Sequence, residues 1–162
     1  MSYEESNFKK LVRSWCESDG IYREAIKDKR MEFVYRIEYA RFHMVVTRPV
    51  EKDFIQIENV INISPEHQRI LTPEKYARFR NVALDYILGL DVDIVFPPNK
   101  PMFVILDKIY DDGLTHQSFF SSLRRIAHAS ARVIKILNEI LGTLGAEPKP
   151  AQHHDEGPVY FT

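Results

Sequence analysis

Met31 to Tyr39 reads MEFVYRIEY. Phe33, Tyr35, Ile37 and Tyr39 alternate with Glu32, Arg36 and Glu38, the period of two that a strand with one buried face requires. The same period continues in Phe42, Met44 and Val46 after a turn near Ala40 and Arg41. It continues again between Asp53 and Ile63, where Ile55, Ile57, Ile61 and Ile63 keep step. Asn59 is a polar gap in that run and predicts a bulge. Connections this short imply antiparallel neighbours, because parallel strands need a crossover of a dozen residues or more. The stretch therefore predicts a meander, preceded between Ile21 and Arg30 by an edge strand and a turn at Asp28-Lys29-Arg30.

Helical spacing brackets the meander. Phe8, Leu11, Val12 and Trp15 share one side of a helix between Glu4 and Asp19, and Gly20 supplies its stop, since glycine turns left-handed without a Cβ clash. Downstream, Ser64-Pro65 and Thr72-Pro73-Glu74 each read as a cap followed by proline at the first helical position. They predict either a short turn ahead of a main helix or one helix kinked at Pro73, with Tyr76, Phe79, Ala83, Tyr86, Ile87 and Leu90 as its apolar stripe. Strand period returns at Val92, Ile94 and Phe96. The three prolines from Pro97 to Pro101 make a connection. Met102 to Tyr110 is apolar on both faces except at Asp107 and Lys108, as a strand covered on both sides reads. After a turn at Asp111-Asp112-Gly113, the residues Phe119, Leu123, Ile126, Ala127, Ser130, Val133, Ile134, Leu137 and Leu141 mark a long amphipathic helix from His116. It would span roughly 39 Å.

These elements predict an α+β domain over residues 1–142. Its antiparallel sheet has five or six strands, it has three helices, and the order is α-β-β-β-β-α-β-β-α. Residues 143–162 form a Gly- and Pro-rich tail without periodicity, whose Val159-Tyr160-Phe161 is apolar enough to dock.

Composition narrows the activities. Lys plus Arg number 22 against 23 Asp plus Glu, a formal net charge of −1, so no long-range field draws nucleic acid or an anionic membrane. Cys16 is the only cysteine, which excludes an intramolecular disulfide and fits a reducing compartment. No apolar run reaches 18 residues, and MSYEESNFKK has no apolar signal core; a cytoplasmic protein is expected.

Reactive constellations are scarce. Cys16 has no base beside it in sequence to lower its pKa. His43, His67, His116 and His128 lack metal-ligand spacing, so no metal and no cofactor is expected; His153-His154-Asp155-Glu156 offers at most adventitious binding. No glycine-rich phosphate loop and no G-x-S-x-G elbow occurs. Asp91, Asp93, Asp107, Asp111 and Asp112 gather in one hairpin, where a paired-acid or Mg²⁺ site can be drawn; a polar strand face plus a turn explains them more simply. The hairpin carries net −3, and the last helix, with Arg124, Arg125, Arg132 and Lys135 against Glu139, carries net +3. The two can attract each other, or the helix can offer a basic surface to nucleic acid.

Apolar surface remains. If Phe33, Tyr35, Ile37 and the isoleucines from Ile55 to Ile63 face the helices, then Val34, Val45, Phe54, Val60 and Val95 emerge on the opposite sheet face. That face needs a cover, either the helix from Pro73 or a second subunit across a two-fold axis.

The string FIQIENVINISPEH from Phe54 to His67, the preceding MEFVYRIEY strand and the FFSSL helix start from Phe119 carry a resemblance. They resemble a family of uncharacterised, mainly archaeal proteins whose architecture is similar to that of type III secretion chaperones. The resemblance covers about Glu4 to Gly142. It implies a homodimer and non-catalytic binding of extended protein segments, and it brings no catalytic residue. The chain departs from those chaperones in being neutral rather than strongly acidic. The expected function is thus a non-enzymatic, dimeric protein- or peptide-binding module that uses Val34, Val45, Phe54, Val60 and Val95. The alternatives are nucleic-acid binding through the basic helix and a metal-dependent enzyme on the Asp-rich hairpin.

Overall fold

Gly20 takes φ +70° and ends helix α1 (Glu5–Ser18), turning the chain directly into the sheet. The structure, a computed structural model, describes residues 5–142. Strands β1 (Tyr22–Ala25), β2 (Met31–Tyr39), β3 (Phe42–Pro49) and β4 (Phe54–Asn62) form the meander, with Ala40 and Arg41 both at positive φ in the tight β2–β3 turn. Helices α2 (Pro65–Ile70) and α3 (Pro73–Ile87) follow, then β5 (Asp93–Val95), β6 (Met102–Tyr110), a 3₁₀ turn at Asp111–Gly113 and helix α4 (His116–Leu141). The six strands lie in the order β1-β2-β3-β4-β6-β5, every pair antiparallel.

The α+β class and the order of elements along the chain are as expected, and of the two readings of the Ser64–Pro73 stretch the short helical turn ahead of a main helix is the one that forms. Four helices stand where three are predicted, because Thr72 precedes a proline and is driven to extended backbone (ψ 158°), while Leu71 has already left the helical region (ψ 82°). Each half has its own cap: Ser64 Oγ accepts from His67 N, and Thr72 Oγ1 accepts from Lys75 N. The bulge expected at Asn59 does not form. The β4–β6 register runs unbroken from Phe54 to Asn62, and Asn59 instead donates through Nδ2 to Ser130 Oγ on α4, 2.9 Å away. The tail of residues 143–162 and its His153-His154 lie outside the described residues.

All the packing helices lie on one side of the sheet. Phe33, Tyr35, Ile37, Met44, Val46, Ile55, Ile57, Phe103 and Ile105 share a core with Val12 and Cys16 of α1, with Phe79, Ala83 and Ile87 of α3, and with every apolar residue of the predicted α4 stripe. Leu11, expected on the buried side of α1, is exposed; the buried line runs through Val12 and Cys16. Phe79, Phe96 and Phe103 meet ring to ring at centroid distances of 5.5 to 6.3 Å and hold α3 to the sheet. The helix from Pro73 therefore packs with α4 on the core side and does not cover the opposite face.

Candidate protein-binding face

Strand alternation sets what that opposite, helix-free face carries. In one cross-strand row Arg36, Val45, Glu58, Leu106 and Asp93 stand side by side on β2, β3, β4, β6 and β5. The next row is Val34, Thr47, Gln56 and Lys108. Val60 pairs with Val104, which pairs with Val95, and Phe54 pairs with Tyr110 at the far end. The five residues singled out from sequence, Val34, Val45, Phe54, Val60 and Val95, thus share one face. Val34 and Phe54 are buried; Val45, Val60 and Val95 are half-buried.

The centre of the face is polar, which the sequence reading missed. Thr47, Gln56 and Glu58 are 0%, 1% and 1% exposed. Gln56 Nε2 donates to Glu58 Oε2 at 3.1 Å, while Glu58 Oε1 and Thr47 Oγ1 have no hydrogen-bond partner among the described residues. The signal was present: Gln56 and Glu58 stand in phase with Phe54 and Val60, at alternate positions between isoleucines. Burial pushes the Glu58 carboxyl up to about 7, with the Gln56 hydrogen bond opposing the shift. Arg36 is ion-paired to Glu24, and the Lys108 ammonium lies 4.9 Å from the centre of the Phe54 ring. A cation–π contact of this kind holds the base away from the middle of the sheet.

The other sequence candidates disperse. Of the basic residues on α4, Arg125 turns to the sheet and donates to Asp107 Oδ2 at 2.9 Å, Arg132 lies 5.9 Å from the Tyr86 ring centre, and Lys135 reaches Glu139 at 4.0 Å. Arg124 is exposed. The attraction expected between the acidic hairpin and the last helix is realised at Asp107, which also accepts from Ser122 Oγ at 2.6 Å. Asp111 accepts from both terminal nitrogens of Arg48, at 2.5 and 2.8 Å. Asp91 and Asp93 do not share a strand, because β5 begins only at Asp93. Among the described residues, no three His, Cys, Asp or Glu side chains converge on a metal position. Cys16 is fully buried, and burial pushes its thiol up to about 12, far from a nucleophile's range.

A family described as "Uncharacterized conserved protein (DUF2299)" matches residues 8–137. The chain belongs to the DUF2299 family. No curated protein matches it. Among solved structures, this DUF2299 member is similar to an uncharacterized protein from Methanothermobacter thermautotrophicus. The two are 25% identical with a TM-score of 0.75, over 83% of this chain and 99% of that one. It shares its fold with the HopA1–SchA chaperone–effector complex at 8% identity and TM-score 0.60, covering 83% of this chain and 98% of that one. It shares it also with the ExsC–ExsE complex at 12% identity and TM-score 0.60, covering 84% and 97%. The secretion-chaperone architecture implied by the sequence resemblance is the one found. Among the described residues no helix is long and apolar enough to cross a membrane.

Proposed function

We propose that this DUF2299 chain is a non-enzymatic, chaperone-like module of the cytoplasm that forms a homodimer and binds extended segments of other proteins. One observation carries the reading. Strand β5 pairs with only Val104, Ile105 and Leu106 of the nine residues of β6, so among the described residues no strand pairs with the outer side of β6 from Asp107 to Tyr110. That ledge runs on past Asp93, and on the helix-free face it borders Lys108, Tyr110 and Phe54. A partner strand laid along it would continue the line of β5, gaining main-chain hydrogen bonds from β6 while its alternate side chains reach the face near Phe54 and Tyr110. The fold shared with a chaperone–effector complex supports the same reading.

Sedimentation of the full-length chain tests the dimer, and binding to an array of uncharged, apolar twelve-residue peptides tests capture. Tyr110→Asp, at an exposed position whose ring packs on Phe54, is expected to weaken peptide binding at least tenfold while circular dichroism stays unchanged. A wild-type chain that sediments as a monomer and binds no peptide overturns the proposal.

A further inference from the structure

The formal charge of −1 conceals a separation of signs. Helices α1, α3 and α4, all packed on one side of the sheet, carry ten Lys and Arg against five Asp and Glu, net +5, and the rest of the chain carries −6. Such a field acts on a partner that approaches from the helix side, whatever the total.

The bases are ordered on α4. Past its first turn, the exposed residues of that helix are Arg124, His128, Ala131, Arg132, Lys135 and Glu139. The line that packs on the sheet runs through Ile126, Ser130, Val133 and Leu137 on the opposite side, so the exposed strip points away from the sheet. Arg124, His128, Arg132 and Lys135 follow one another at intervals of four, four and three residues, steps of about 6, 6 and 4.5 Å. Ala127, Ala129, Ile136 and Asn138 are buried along the two flanks, which holds the row straight. The Tyr86 ring under Arg132 and Glu139 beside Lys135 leave both bases on the surface, and only Arg125 is drawn down to the sheet.

The strip offers charge and little else. The exposed large hydrophobics of the helices, Leu11, Ile70, Val82, Leu84 and Leu88, lie on α1, α2 and α3, and none is an aromatic platform on which an unpaired base could stack. A helix surface has no strand edge for a peptide main chain, and a bound peptide needs such contacts or apolar pockets besides charge. A duplex backbone needs neither, because its affinity comes from neutralised phosphates and released counterions. Each of its strands carries one phosphate per about 3.4 Å of axis, so the row meets about every second one.

We propose that the outward face of α4 binds the phosphate backbone of double-stranded nucleic acid, without reading its sequence, through Arg124, Arg132 and Lys135. This activity goes beyond the capture of a strand beside β6 and does not depend on it.

The test titrates the full-length chain against a fluorescein-labelled twenty-base-pair DNA duplex and reads anisotropy. Three phosphate contacts predict a slope of log K against log salt of about −2.7, about a 40-fold loss of affinity between about 50 and about 200 mM salt. Arg124→Gln and Lys135→Gln, both at exposed positions, are each expected to flatten the slope by about one and to weaken binding equally on two unrelated duplex sequences. Lys100→Gln, at an exposed position in the β5–β6 connection, is expected to leave slope and affinity unchanged. No binding at the lowest salt, or an equal loss from Lys100→Gln, overturns the proposal. So does an equal affinity for poly-glutamate of the same charge, which would make an acidic protein the partner.

Discussion

Gln56 and Glu58 meet side by side on β4, the amide of one donating to the carboxylate of the other at 3.1 Å, with the second carboxylate oxygen buried and without a partner among the described residues. A carboxyl raised from 4.5 to about 7 binds its proton more tightly in the folded chain than in the unfolded one. Its contribution is complete below pH 4.5 and is lost as pH rises toward and through 7. Stability should therefore fall by a few kcal/mol across that window. Glu58→Gln, which keeps the shape and removes the titration, should flatten the profile and be the more stable protein at pH 8. Urea melts at pH 5, 6, 7 and 8 check both statements.

Arg48 is 4% exposed, bound by Asp111 and by Glu32 at 2.9 Å, with its guanidinium 4.8 Å from the centre of the Phe8 ring. It ties β3 to α1 and to the turn after β6. Removing one partner of such a group strands the other, so Asp111→Ala should destabilise by about 2–4 kcal/mol, and Arg48→Met, which removes the buried charge itself, by less. Equilibrium urea denaturation measures the difference.

The Asn59–Ser130 bond joins the centre of β4 to the middle of α4. Ser130→Ala leaves a buried amide without its acceptor and should destabilise by about 1–3 kcal/mol. Asn59→Leu together with Ser130→Ala should destabilise by less than the two single changes summed. A double-mutant cycle reads the coupling, and strict additivity would show that the bond contributes nothing.

Cys16 should be silent toward thiol reagents in the native chain. With the thiol pushed up to about 12 and no exposed surface, Ellman's reagent at pH 8 should label it only after denaturant is added. Rapid labelling without denaturant would mean that α1 opens from the sheet.

What the sequence disclosed followed from period. Alternation in MEFVYRIEY placed Val34 opposite Phe33 and Tyr35. The same logic put all five face residues together, because a strand's side chains have only two directions to point. The α4 stripe was equally legible, since each of its nine residues was chosen at helical spacing and each is buried. Asn59 misled because a polar residue in an apolar run has two explanations, a bulge or a buried partner, and its partner Ser130 lies 71 positions away. Glu58 passed unnoticed for a related reason. Alternation labels a charged residue as solvent-facing, and only the three-dimensional sheet shows that position to be sealed. The cover of the second face was open to two readings from sequence, and the core packing of α3 removes one of them.

The borders of the sheet bear on how the protein behaves when crowded. β1 is four residues long, breaks register between Tyr22 and Glu24, and exposes Arg23 and Glu24; β5 is three residues long, with Asp93 exposed and two prolines soon after it. Neither offers the long, flat, uncharged template on which amyloid grows. A strand settling beside β6 would gain a few ladder bonds and then run out of pattern, too few to template a fibre.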